Sequence, residues 1–138
     1  MRFLILSDIH SNLDALEAVL AAAPAYDVVA NLGDIVGYGA CPNEVIDRSR
    51  ELGKIFVRGN HDKTCAGIAD IRGFNYIAAA AVVWTHNALT PENLQWLKDL
   101  PQGPLKMLFL GKGLSKVQLF PENWPIAKVQ THLFPNYT

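Results

Sequence analysis

The sequence predicts an α/β fold built on a mainly parallel sheet, and three observations carry that prediction. Over roughly the first hundred residues, short apolar runs alternate with apolar positions at helical spacing, the rhythm of β-α-β units. Glycine and proline stand where those segments should stop or start. Three polar clusters, Asp8-Ile9-His10, Gly33-Asp34 and Gly59-Asn60-His61-Asp62, each follow one of the apolar runs.

Arg2 to Ser7 reads as a buried strand. Ser11 can cap the helix that follows, whose apolar positions are Leu13, Leu16, Val19 and Leu20, with Asp14 and Glu17 near its start and Pro24 at its end. Asp27 to Leu32 is the second strand. Pro42 suits a first helical position, Val45, Ile46 and Leu52 supply an apolar face, and Gly53 stops that helix. Lys54 to Arg58 is the third strand. The spacing predicts a helix over Phe74 to Leu89 and another opening at Thr90-Pro91-Glu92 and running to Leu100; Trp84, Trp96 and Leu97 read as core.

The 138 residues allow one domain and a real core. Half of them are hydrophobic and 18% are charged, which excludes general disorder. A net charge of -1 argues against a nucleic-acid binder that works by bulk electrostatics, and no specific nucleic-acid partner is inferred. Cys41 and Cys65 are too few for a disulfide framework or a thiolate zinc site. The amino-terminal stretch is neither a signal peptide nor a membrane span, and the apolar run from Ile77 to Trp84 is too short to cross a bilayer, so a cytoplasmic protein with no membrane partner is expected.

The three polar clusters stand at the carboxyl ends of the three strands, the edge where open α/β sheets bind ligands. Asp8 and His10, two apart in an extended segment, would point the same way and offer an oxygen and an imidazole nitrogen to one ion. Asp34 has two carboxylate oxygens and could bridge two ions. Asn60 offers a neutral carbonyl oxygen, and Gly33 and Gly59 let backbone approach closely. His61 would stand beside the ions, placed to contact a phosphate or to give a proton to a leaving oxygen; a third metal ligand or a plain loop residue are the alternatives. Asp62 is expected to orient that histidine. Oxygen and imidazole donors without thiolate suit hard or borderline ions: manganese first, with iron, zinc, magnesium or nickel as alternatives.

The order D-x-H, G-D, G-N-H-D, and the wording SDIHSN, NLGDIVGYG and VRGNHD, resembles the calcineurin-like metallophosphoesterases, in particular their small prokaryotic phosphodiesterases. The resemblance implies an α/β/β/α sandwich, supplied here incompletely, and metal-dependent hydrolysis of phosphate mono- or diesters by two divalent ions. It implies that Asp8, His10, Asp34 and Asn60 bind metal and that His61 assists catalysis. The organisation it implies is a family-like region over residues 1–105 and an atypical tail over 106–138.

The family pattern adds three further histidines, one after a later strand and two in a Gly-His-x-His element. Beyond His10 and His61 this chain has only His86 and His132. His86 falls within a helix and is not expected to bind metal, and Thr131-His132 could restore one ligand at best. From Lys106 onward the chain has four lysines against the single acid Glu122, scattered prolines and no clear period. Either that tail is foreign to the family, as after a shifted reading frame or a truncated gene, or the chain has diverged into a non-catalytic metal- or partner-binding module. A nucleotide-binding doubly wound domain is disfavoured, since no Gly-x-Gly-x-x-Gly follows the first strand.

Overall fold

A computed structural model of the chain describes residues 1–53, 55–103, 105–110 and 113–119. Ten elements follow in order: β1 (Phe3–Leu6), α1 (Leu13–Ala22), β2 (Val28–Asn31), α2 (Pro42–Leu52), β3 (Ile55–Phe56), α3 (Asn60–Cys65), α4 (Tyr76–Ala88), α5 (Pro91–Asp99), β4 (Leu105–Leu110) and β5 (Gly113–Leu119). They fall into two compact units, one over Met1–Pro101 and one from Gln102 onward.

In the first unit β1, β2 and β3 form a parallel sheet in that order, with Phe3 opposite Val28, Leu6 opposite Asn31, and Asn31 opposite Phe56. Two successive right-handed crossovers in the same direction put α1 and α2 on the same face. Leu4, Leu6, Val29 and Phe56 turn toward that face and pack with Leu16 of α1, Val45 and Ile46 of α2, Val82 of α4 and Leu97 of α5. The other face explains one correction. The first strand was expected to be buried, yet Ile5 is 61% exposed, because the helices of this unit gather on the opposite side.

The helix ends follow their capping residues, with one exception. Asn75 and Thr90 accept from the backbone N–H groups of Ala78 and Asn93, and Pro42 and Pro91 open α2 and α5. Helix α1, however, is capped by Asn12, whose side chain accepts from Ala15, and not by Ser11. The Ser11 backbone is engaged elsewhere: its N–H donates to the carbonyl of Ile35 and its own carbonyl accepts from Cys41. At the α4–α5 corner, Asn43 of α2 donates to the Ala88 carbonyl and accepts from the Thr90 N–H, tying that corner to the sheet-covering layer.

Two further readings change. Trp84 is 49% exposed and is not a core residue, whereas Leu97 is fully buried and Trp96 stacks edge-on against Phe56 at 5.2 Å. The sequence offered no helix at Gly-Asn-His-Asp, yet that segment starts α3, with Gly59 as N-cap and Asn60 as the first helical residue.

In the second unit β4 and β5 pair antiparallel, from Leu105 opposite Leu119 to Leu110 opposite Gly113, with a register shift between Leu108 and Phe109. The sequence is compatible with a strand over Leu105–Leu110, whereas nothing in it marks β5. His132, which could restore one ligand at best, lies outside the described residues. Among the described residues no helix is long and apolar enough to cross a membrane.

Candidate metal centre

Because the three strands are parallel, the segments that leave β1, β2 and β3 emerge at one edge of the sheet. Backbone hydrogen bonds continue the ladder into them: Asp8 N–H donates to the Gly33 carbonyl at 3.1 Å, His10 N–H to Asp34 at 3.0 Å and Ser11 N–H to Ile35 at 2.9 Å. These bonds hold an unusual conformation. Asp8, His10, Ser11 and Asp34 all have left-handed backbone, with φ of 56, 51, 56 and 53°. Non-glycine residues adopt it at a cost of about 1–3 kcal/mol each and keep it only where surroundings over-determine it. Asp8 and His10 therefore converge through a left-handed turn rather than through the extended segment expected.

The result is a compact donor set. One ligand atom each from Asp8, His10 and Asp34 lie within 4.8 Å of one another. The ring of His10 is oriented by its Nδ1, 3.2 Å from the Val36 carbonyl oxygen. A carbonyl only accepts, so Nδ1 carries the proton and Nε2 is left with its lone pair. That lone pair is 3.8 Å from Asp8 Oδ1, a second acceptor. Two electron-rich atoms facing each other at this separation suit an intervening cation, and a backbone carbonyl behind the imidazole is the usual support for a metal-binding histidine. The residues present fit a divalent ion.

The third segment wraps around Asp34. Asp34 Oδ1 accepts from the His61 N–H at 2.9 Å, and the Gly59 backbone lies so close that a Cβ there would overlap that oxygen. Gly33 has φ of +108° and its own added Cβ would meet Gly59 N at 2.5 Å, so the two glycines permit the crossing of the two loops. Asn60, between Gly59 and His61, is exposed in the first turn of α3 beside Asp34. His61 is 7% exposed, its ring centroid 4.7 Å from His10, 4.8 Å from Tyr38 and 4.8 Å from Phe74. Burial pushes its imidazole below the usual histidine range; His10 adds to this, while the carboxylates of Asp34 and Asp8 oppose it.

Asp62 does something other than expected. Its carboxylate does not meet His61: Oδ1 accepts from the backbone N–H groups of Ile35 and Val36 at 2.8 and 3.0 Å, and Oδ2 from Gly59 at 2.9 Å. One fully buried side chain thus clasps the loop that carries Asp34 to the turn that carries Asn60 and His61. Burial pushes its carboxyl up to about 6, against the lowering effect of those three donors. The bond to Gly59 is a local capping contact three residues away, but no sequence pattern marks the link to Ile35 and Val36, 27 and 26 residues away.

His86, not expected to bind metal, uses Nδ1 against the Cys65 carbonyl at 2.7 Å, which joins α4 to the end of α3. Tyr38, not among the expected site residues, stands beside the centre, its ring 5.0 Å from that of His10.

Comparisons with known proteins agree with this geometry. An uncharacterized protein of Methanocaldococcus jannaschii is 38% identical over 137 residues, 96% of this chain and 54% of that protein. The crystal structure of a metallophosphoesterase from Sphaerobacter thermophilus is similar at 46% identity with a TM-score of 0.63, over 80% of this chain and 44% of that one. A hypothetical protein of Pyrococcus horikoshii shares the fold at 22% identity with a TM-score of 0.56, over 80% of this chain and 51% of that one. The chain spans about half the length of these relatives. The calcineurin-like phosphoesterase pattern matches residues 1–136, and the chain belongs to that family, whose general chemistry is metal-dependent hydrolysis of phosphate esters.

Proposed function

We propose that this chain hydrolyses phosphate mono- or diesters at a centre for two divalent ions. Asp8, His10 and Asp34 would hold one ion, Asp34 would be shared, and Asn60 would offer its carbonyl oxygen to the second. The observation that carries the reading is the convergence of ligand atoms from Asp8, His10 and Asp34 within 4.8 Å of one another, with His10 Nδ1 turned to the Val36 carbonyl and Nε2 3.8 Å from Asp8 Oδ1. Bound ions would neutralise the phosphate and lower the pKa of a nearby water. The protein's own part is positional. The clasp of Asp62 holds the Asp34 loop and the Asn60 turn in register. His61, in contact with Asp34 through its backbone and walled by three rings, is placed to give a proton to the departing oxygen. Manganese is the ion we expect to support activity best.

Hydrolysis of a generic phosphodiester with added manganese tests the reading. Asp34→Asn should reduce turnover by at least about 100-fold, since it removes a charge shared by both ions. Folded, metal-loaded protein that shows no turnover would sink the enzyme claim. Metal analysis separates the rival: a binding module should hold one ion per chain without hydrolysis, an enzyme two.

A further inference from the structure

Tyr38 combines three properties that turn chemistry alone does not require. Its backbone is left-handed, with φ of 60°, a conformation that bulky side chains rarely adopt and that glycine would adopt freely. The loop is held in that shape from both sides: Gly39 N–H donates to the His10 carbonyl at 2.9 Å and Cys41 N–H to Ser11 at 3.0 Å. The ring obtained at this cost is not spent on the core, for Tyr38 is 47% exposed.

The ring stands edge-on to His10 at 5.0 Å and tilted to His61 at 4.8 Å, so one side is engaged by the two imidazoles and the rest is open. Next to it lies a cavity of about 450 Å³ that starts at Asp8 and His10 and runs along Asn12, Ala15, Leu16 and Val19 of α1. That volume falls in the range of small-molecule sites, and walls that are apolar away from the carboxylate end suit an uncharged organic group. A phosphate bound at the metal centre would leave its organic substituent beside His61, the group placed to protonate the departing oxygen. Tyr38 is the exposed aromatic surface at that point.

We infer that Tyr38 and the cavity beside α1 form the subsite for the organic part of the ester, and that the Tyr38 ring selects planar aromatic groups, aryl or nucleoside, over aliphatic ones. This rests on the phosphoesterase reading above. Stacking of a planar group on an aromatic side chain is worth about 1–3 kcal/mol, or about 5- to 150-fold in affinity. The hydroxyl plays no part in it.

The test compares equilibrium binding of phenylphosphonate and methylphosphonate, whose C–P bonds are not cleaved by ester hydrolysis, to manganese-loaded protein. The ratio reads the aromatic group against an aliphatic one. Wild type should prefer phenylphosphonate by about tenfold or more. Tyr38→Phe should keep that preference. Tyr38→Gly, which fits the left-handed backbone and so should fold, should bring it close to one. Equal affinity in wild type, or a preference that survives Tyr38→Gly, overturns the subsite; a preference lost in Tyr38→Phe transfers the role to the hydroxyl and overturns the stacking claim. Turnover of phenyl phosphate by the same proteins reads the hydrolase proposal separately: preferential binding with no hydrolysis would end that proposal and leave the subsite standing.

Discussion

Two buried side chains decide most of what can be tested one residue at a time. Asp62 satisfies three backbone donors that have no water to turn to. Each buried donor left without a partner costs about 1–3 kcal/mol. Asp62→Ala should therefore lower unfolding free energy by at least about 3 kcal/mol in urea denaturation and weaken metal binding by about 10- to 100-fold, because the loops bearing Asp34 and Asn60 lose their link. An unchanged midpoint would show that the clasp is dispensable. Cys65 offers a pH test. Burial pushes its thiol up to about 12, while in the unfolded chain it ionises near ~8.5. Below ~8.5 both states hold the proton and the stabilisation is complete; as pH rises from there toward 12, only the unfolded state releases it and stability falls. Denaturation at pH 8 and pH 10.5 should show a loss in the native protein that is smaller in Cys65→Ala. The role of Asp62 was not legible in the sequence because backbone donors carry no residue identity, whereas the donor set of Asp8, His10 and Asp34 was, because carboxylate and imidazole name their own chemistry.

At the level of elements, hydrophobic period located α1, α2, α4 and α5 but not α3, and it did not say which way α4 faces. That helix, YIAAAAVVWTHNA, is apolar nearly all round, so no face stands out from the sequence. Packing decides: Ala78, Val82 and Thr85 are buried, while Tyr76, Ile77, Val83 and Trp84 remain exposed. Trp84→Gln should shift stability by less than about 0.5 kcal/mol, as at an ordinary surface position. Leu97→Ala, in the fully buried face of α5, should cost about 2–5 kcal/mol. Equal losses in chemical denaturation would mean that Trp84 is covered. Element β5 was missed for a related reason: its residues alternate weakly, and an antiparallel partner, not the local pattern, makes it a strand.

For the whole molecule, the parallel order of β1, β2 and β3 is the feature from which the site follows, since it delivers three loops to one edge. The loops then bind one another more than they bind the sheet. Five left-handed non-glycine residues gathered there represent strain that cation binding would help to hold. An ion that binds only the folded chain stabilises it by about 2.7 kcal/mol at a hundred times its dissociation constant. The melting temperature should rise with manganese concentration and fall back on chelation, and Asp8→Asn should blunt the rise. A melting temperature indifferent to added ion would contradict the donor geometry.

By itself the sequence determined the β-α-β order, the capped helix start at Thr90, and the residue types that meet at the strand ends, because local periodicity, capping and ligand chemistry are written in residue identity. Only the tertiary structure decided that Asp8 and His10 converge through left-handed turns, that Asn12 and not Ser11 caps α1, that Asp62 clasps two loops, and that Trp84 and Ile5 stay exposed. The bonds that engage Ser11 with Ile35 and Cys41, those that tie Asp62 to Ile35 and Val36, and the packing that leaves side chains exposed all depend on partners distant in sequence, backbone groups or surfaces whose position exists only once the chain has folded.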